Sequence, residues 1–146
     1  GQRSAPMTVP VQPTSPGVFS LNYSGTGEVV ADQYPNGQGS LNSSGNPVPA
    51  GTLVAIYVTG EGQTVPAGTD GLFSNTVVPK PVATVSVSVG GVPQTNINYA
   101  GEIPGDPGGV MQVNFFLAAG TPSGAQPVTV TVGGVTSQSG LTLVVQ

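Results

Sequence analysis

Apolar residues in this chain recur at every second position rather than every third or fourth. Val85-Ser86-Val87-Ser88-Val89 and Val128-Thr129-Val130-Thr131-Val132 alternate strictly, each with three valines on one face and two hydroxyls on the other. That is the pattern of a strand with one buried face. Each runs into a glycine pair, Gly90-Gly91 and Gly133-Gly134. Two adjacent residues free to take positive φ favour a two-residue hairpin turn. Return strands are therefore expected over roughly residues 92–100 and 135–145. Leu53-Val54-Ala55-Ile56-Tyr57-Val58 is apolar throughout, which predicts a central strand covered on both sides. Met111, Val113, Phe115 and Leu117 alternate with Gln112, Asn114 and Phe116 and predict a further half-buried strand. Residues 28–33 and 39–42 flank Tyr34-Pro35-Asn36-Gly37 and read as a hairpin, and Val18-Phe19-Ser20-Leu21 reads as a short strand. No stretch free of Gly and Pro carries the apolar spacing of an amphipathic helix. The expected fold class is all-β, an antiparallel β-sandwich of about 7–9 strands.

Composition narrows the chemistry. The 146 residues suit one domain whose core needs no disulfide, and there is no Cys. Gly (23) and Pro (15) are abundant, a level also met in disordered chains. The mean hydropathy of +0.15 and the strand patterns favour a folded, turn-rich protein. Charged residues make up only 5%, against about 25% in typical domains. Absence of His and Cys excludes a zinc site built on imidazole or thiolate, a Cys nucleophile and a Ser-His-Asp triad. The two basic residues, Arg3 and Lys80, are too few to recognise a run of phosphates, so no nucleic acid is expected as a partner. No apolar run approaches ~18 residues, so no membrane insertion is expected. Gly90-Gly91 and Gly108-Gly109 open no helix that would cap a phosphate, and no cofactor is expected.

Two internal echoes bear on organisation. Residues 85–92 and 128–135 share a Val-x-Val-x-Val-Gly-Gly-Val pattern, for which a generic hairpin is a sufficient account. Met7-Thr8-Val9-Pro10-Val11-Gln12 also resembles Leu141-Thr142-Leu143-Val144-Val145-Gln146. Either residues 1–12 hold the last strand of a preceding module, or any exposed strand rich in Val and Thr looks alike. On the first reading residues 13–146 form the sandwich domain. Pro13-Thr14-Ser15-Pro16-Gly17 is then a stiff linker, since Pro fixes φ. Gly1 reads as a residue left by cleavage, and the sequence shows no signal peptide. Few charges guard the sheet edges; Pro10, Pro47 and Pro49 are expected to serve instead, and a monomer is expected.

Several motifs occur together and in order. They are Pro16-Gly17-Val18-Phe19-Ser20; Gly39-Ser40-Leu41-Asn42-Ser43 with Asn46-Pro47 and Gly51; and Tyr57-Val58-Thr59-Gly60-Glu61-Gly62 with Pro66. They continue through Val87–Val92, Tyr99-Ala100-Gly101, Pro104-Gly105, Gly109 and Gln112-Val113-Asn114. This run, covering nearly all of the chain after residue 13, resembles an acidobacterial (Solibacter-type) C-terminal domain of unknown function found on large exported proteins. The resemblance implies an immunoglobulin-like sandwich, a secreted or cell-surface setting and no established activity. It transfers no catalytic residue.

The chemistry-bearing side chains are six carboxylates. Glu61, Asp70, Glu102 and Asp106 all fall in expected loops. If those loops meet at one end of the sandwich they supply oxygen ligands for calcium, although no Asp-x-Asp-x-Asp-Gly loop is present. The competing account is that loop acids keep a nearly uncharged surface soluble. A glycosidase-like pair can be drawn from Glu61 and Asp70, but there is no Trp to line a sugar cleft, and no enzyme is expected. Gln112 and Asn114 are expected to pin the 101–109 loop through its backbone, with Phe116 covered on the same outward face. Tyr57 is expected to fix a corner with its hydroxyl. The 59–81 stretch is the expected recognition surface, anchored by Leu72, Phe73, Val77 and Val78. The leading functional expectation is a non-enzymatic module of a larger exported protein, acting as spacer, cap or adhesion domain beside neighbouring domains. The alternative is a carbohydrate- or protein-binding module that meets a cell-surface protein or glycan through the 59–81 and 100–109 loops.

Overall fold

A computed structural model describes residues 3–69, 73 and 77–146. All ladder elements among them are strands, and no helix occurs. In chain order they are β1 (Gly17–Val18), β2 (Gly27–Glu28), β3 (Ala31–Tyr34), β4 (Ser40–Leu41), β5 (Leu53–Thr59), β6 (Thr64–Val65) and β7 (Lys80–Pro81). There follow β8 (Val85–Val89), β9 (Val92–Pro93), β10 (Ile97–Glu102), β11 (Val110–Phe116), β12 (Gly124–Val132), β13 (Val135–Thr136) and β14 (Leu141–Val145). One sheet runs β10-β11-β5-β3-β4, with β1 also on β5; the other runs β2-β14-β12-β8-β9, with β13 also on β12. The strand ladders are antiparallel except where β2 lies parallel to β14, and the isolated Val48–Val145 bridge is also parallel. The protein is an all-β sandwich.

Its core is a layer of small branched side chains. Val54, Ile56 and Val58 of β5, Met111, Val113 and Phe115 of β11, Val128, Val130 and Val132 of β12, and Leu141, Leu143 and Val145 of β14 are all buried in one cluster. The period-two pattern thus places the core face correctly in each of the long strands. The outer face of β5 departs from expectation. Ala55 is buried, but Leu53 and Tyr57 stay half-exposed. In register, Asp32 stands beside Ala55 and Gln112 beside Tyr57, whereas Leu53 lies between Phe116 and Tyr34.

The two valine repeats pair with each other. Val128 stands opposite Val89, Val130 opposite Val87 and Val132 opposite Val85. Their glycine pairs turn at opposite ends of this ladder, with φ of 59° and 77° at Gly90-Gly91 and 58° and 86° at Gly133-Gly134. Both turns are the tight hairpins expected, closing Val89 on Val92 and Val132 on Val135.

The return strands are shorter than the alternation suggests. After β9 the chain crosses to the first sheet and becomes β10, and after β13 it breaks before β14. Likewise residues 28–33 divide between β2 in one sheet and β3 in the other. Strands that switch sheets read as one segment in sequence because the alternation continues through the crossing. The Tyr34–Gly37 hairpin is present, with β3 on β4 and the Gly37 N–H donating to the Tyr34 carbonyl at 3.4 Å.

The chain comes in and leaves at opposite ends of β5. Gly17 is opposite Thr59, at the C-terminal end of that strand. Val145 bridges Val48, and the neighbouring Gly51 N–H donates to Leu117 just past Phe116, which faces Leu53 at the other end. These are called the proximal and distal ends below. Residues 3–13 lie outside any strand and are exposed, Met7, Val9 and Val11 among them. Pro10 therefore guards no sheet edge, whereas Pro47 and Pro49 flank the Val48 bridge beside β14.

Candidate functional site

The leading segment docks on the proximal end. Thr14 Oγ1 donates to the Val132 carbonyl at 2.8 Å, on the second sheet, and the Ser15 N–H donates to the Gly60 carbonyl at 2.9 Å, beyond the first. The approach is so close that a Cβ on Gly60 would stand 1.8 Å from the Ser15 carbonyl oxygen. Gly60 and Gly62 have φ of 74° and 78°, so these positions need glycine on both counts. The residue between them, Glu61, is turned inward and is only 5% exposed.

Glu61 meets Glu102 there. Glu102 closes β10 and is 3% exposed. Its N–H donates to the Pro79 carbonyl at 2.9 Å, and the Tyr99 hydroxyl donates to its backbone carbonyl at 2.5 Å. Both acids line a solvent-open cleft of about 550 Å³, together with Gly60, Thr64, Gly68 and Gly108. Gly68 and Gly108 press close to the Glu102 carboxylate; a Cβ on either would lie 3.2 or 3.1 Å from Oε1. Burial pushes Glu61 up to about 7, and the Glu102 charge adds to the effect. Glu61 Oε2 is buried without a hydrogen-bond partner. Tyr99 is also pushed up, by burial first and then by Glu61 and Glu102. The Lys80 ammonium stands 5.7 Å over the Tyr99 ring.

Of the four loop acids, the structure therefore unites Glu61 and Glu102. Asp106 is exposed in the turn whose N–H returns to Ile103, and it does not line the cleft. Asp70 lies outside the described residues, as does Leu72. Among the described residues no three His, Cys, Asp or Glu side chains gather into a metal-binding group. Of the expected apolar anchors of the long loop, Phe73 and Val77 remain mostly exposed and Val78 is half-buried. Backbone pairing frames that loop instead: β6 on β7, the Val82 N–H on the Gln63 carbonyl, and the Phe73 bridge to Pro107.

Gln112 and Asn114 do not pin the 101–109 loop in the way expected. Their side chains bond each other, Gln112 Nε2 donating to Asn114 Oδ1 at 2.7 Å. Two residues apart on one strand, they share the outer face, and their amides reach each other more readily than a loop beyond the strand end. Tyr57 lies on the same face and braces two strands rather than a corner, its hydroxyl donating to Asp32 Oδ2 at 2.7 Å. Phe116 is half-buried.

The amides that both donate to and accept from backbone are Asn42, Gln94 and Gln138. Asn42 bonds both polar groups of Val144, Gln138 bonds both of Val18, and Gln94 accepts from the Ala118 N–H while donating to the Val92 carbonyl. Nothing in their sequence context marks Gln94 or Gln138. Asn42 falls in one of the motifs that carry the family resemblance, without a role being evident.

Comparison of the chain with protein-family models, curated proteins and solved structures found no match. The functional reading therefore rests on the residues themselves and on the resemblance described above.

Proposed function

We propose that this chain is a non-enzymatic, immunoglobulin-like module of a larger exported protein, at the cell surface or secreted. In that role it serves as an in-line spacer, cap or adhesion unit beside neighbouring domains. The observation that carries this reading is the placement of the chain's two ends. The leading segment meets the sandwich beside Thr59, and β14 finishes beside Val48, at the other end of β5. A unit threaded this way adds its length to an array, whereas one with adjacent ends folds the array back on itself.

The leading segment supports the tandem form. Met7, Val9 and Val11 are 83%, 63% and 91% exposed, while the matching Leu141, Leu143 and Val145 are at most 4% exposed. An exposed segment with alternating apolar residues and no sheet partner is what a closing strand of a neighbouring copy would contribute.

Two measurements test the reading. A chain lacking residues 1–12 should melt within about 2 °C of the full chain, because that segment buries little against this sandwich. Two copies joined through residues 1–16 should scatter X-rays as an elongated pair. A large loss of stability on truncation, or a compact pair with the copies folded side by side, overturns the proposal.

A further inference from the structure

We propose that the proximal cleft is a calcium site whose carboxylate ligands are Glu61 and Glu102. The inference does not depend on the exported-module reading. It starts from an imbalance. Two acids, 5% and 3% exposed, face one cleft, and Glu61 Oε2 is buried with no hydrogen-bond partner. A buried carboxylate oxygen in that condition calls for a compensating positive group.

The chain offers few such groups. It has only two basic residues. Arg3 lies in the exposed leading segment, and the Lys80 ammonium is placed over the Tyr99 ring. Neither lines the cleft. Compensation then comes either from a proton on Glu61 or from a bound cation.

The lining selects the cation. With neither His nor Cys in the chain, the donors are oxygens, which suit a hard ion. The Glu61 and Glu102 carboxylates supply oxygens. The Thr64 hydroxyl, backbone carbonyls and solvent in an open cleft supply the rest of a six- to eight-oxygen shell. Walls made of irregular, glycine-rich turns favour the flexible coordination of calcium over the near-octahedral demand of magnesium. The glycines at 68 and 108 leave clear the space beside the Glu102 carboxylate that a Cβ would crowd.

Such an ion would tie the 60–62 turn to the end of β10. Since the Gly60 carbonyl holds the Ser15 N–H, it would also stiffen the junction through which the chain comes in.

The test uses the full chain. Calcium is titrated by calorimetry, terbium by luminescence sensitised through Tyr99, and melting is followed with each ion. At about pH 8 calcium should bind with a Kd on the order of 0.1–1 mM and raise the melting temperature. E61Q should weaken binding about tenfold or more while remaining folded, and D106N should bind as the parent does. Magnesium at equal concentration should leave melting unchanged. No heat and no shift at about 10 mM calcium and pH 8, undiminished binding by E61Q, or an equal response to magnesium overturns the proposal.

Discussion

The side-chain amide of Asn42 takes the place of a neighbouring strand for Val144. Its Nδ2 donates to the Val144 carbonyl at 2.8 Å, and the Val144 N–H donates to its Oδ1 at 2.9 Å. Asn42 is 1% exposed, so water does not replace these bonds. Asn42→Asp keeps the acceptor but sets a second oxygen against the Val144 carbonyl. The variant should lose about 2 kcal/mol near neutral pH by urea unfolding. It should recover part of that loss in acid, where a protonated carboxyl donates as the amide does. Equal stability of variant and parent at neutral pH would contradict this account.

Glu61 makes the calcium-free protein less stable as pH rises. Its folded-state value, about 7, lies above the ordinary 4.5, so between these values the folded chain holds the proton more tightly than the unfolded chain. Stability from this group is fully present below about pH 4.5, declines through about 7 and stays flat above. The total fall is about 3 kcal/mol. Denaturant unfolding in the presence of a chelator should show that decline, and Glu61→Gln should abolish most of it. A curve for Glu61→Gln parallel to the parent's would assign the decline to other groups.

Gly60→Ala places a Cβ 1.8 Å from the Ser15 carbonyl oxygen at a position with φ of 74°. The backbone conformation alone disfavours an L side chain by roughly 1–3 kcal/mol, and the collision adds to it. The leading segment should detach, and limited proteolysis should cut near residues 13–16 at a rate the parent does not show. Protection equal to the parent's would mean that the contact contributes little.

Tyr57 should be among the last tyrosines to ionise. Burial and then the bond to Asp32 push its hydroxyl far above the usual phenol range. An ultraviolet titration should therefore contain a late phenol amplitude at strongly alkaline pH, and Tyr57→Phe should remove it while leaving the earlier amplitude unchanged. The same substitution should reduce stability by about 1 kcal/mol.

The strands were legible in sequence wherever burial imposes a period of two, as in β5, β8, β11 and β12. Their partners were less so, because a crossing between sheets preserves the alternation; residues 28–33 look continuous yet serve both layers. Among the loop acids, sequence placed Glu61 and Glu102 near strand ends. Only the folded chain reveals that Gly60 and Gly62 turn Glu61 inward while Asp106 stays outside. The amides were the hardest to read. Gln112 and Asn114 stood out through their alternation with Val113 but bond each other, whereas Gln138, in a polar turn, completes the pairing of Val18. A side chain that imitates backbone leaves no periodic trace.

The threading of the chain along β5 has a mechanical corollary. A pull on residues 13–17 and on Val145 acts along the strand axes, so β1 must slide over β5, and β14 over β12 and β2, before either can leave. Their bonds are loaded together in shear rather than peeled one at a time, and a fibre of such units would resist tension at every joint.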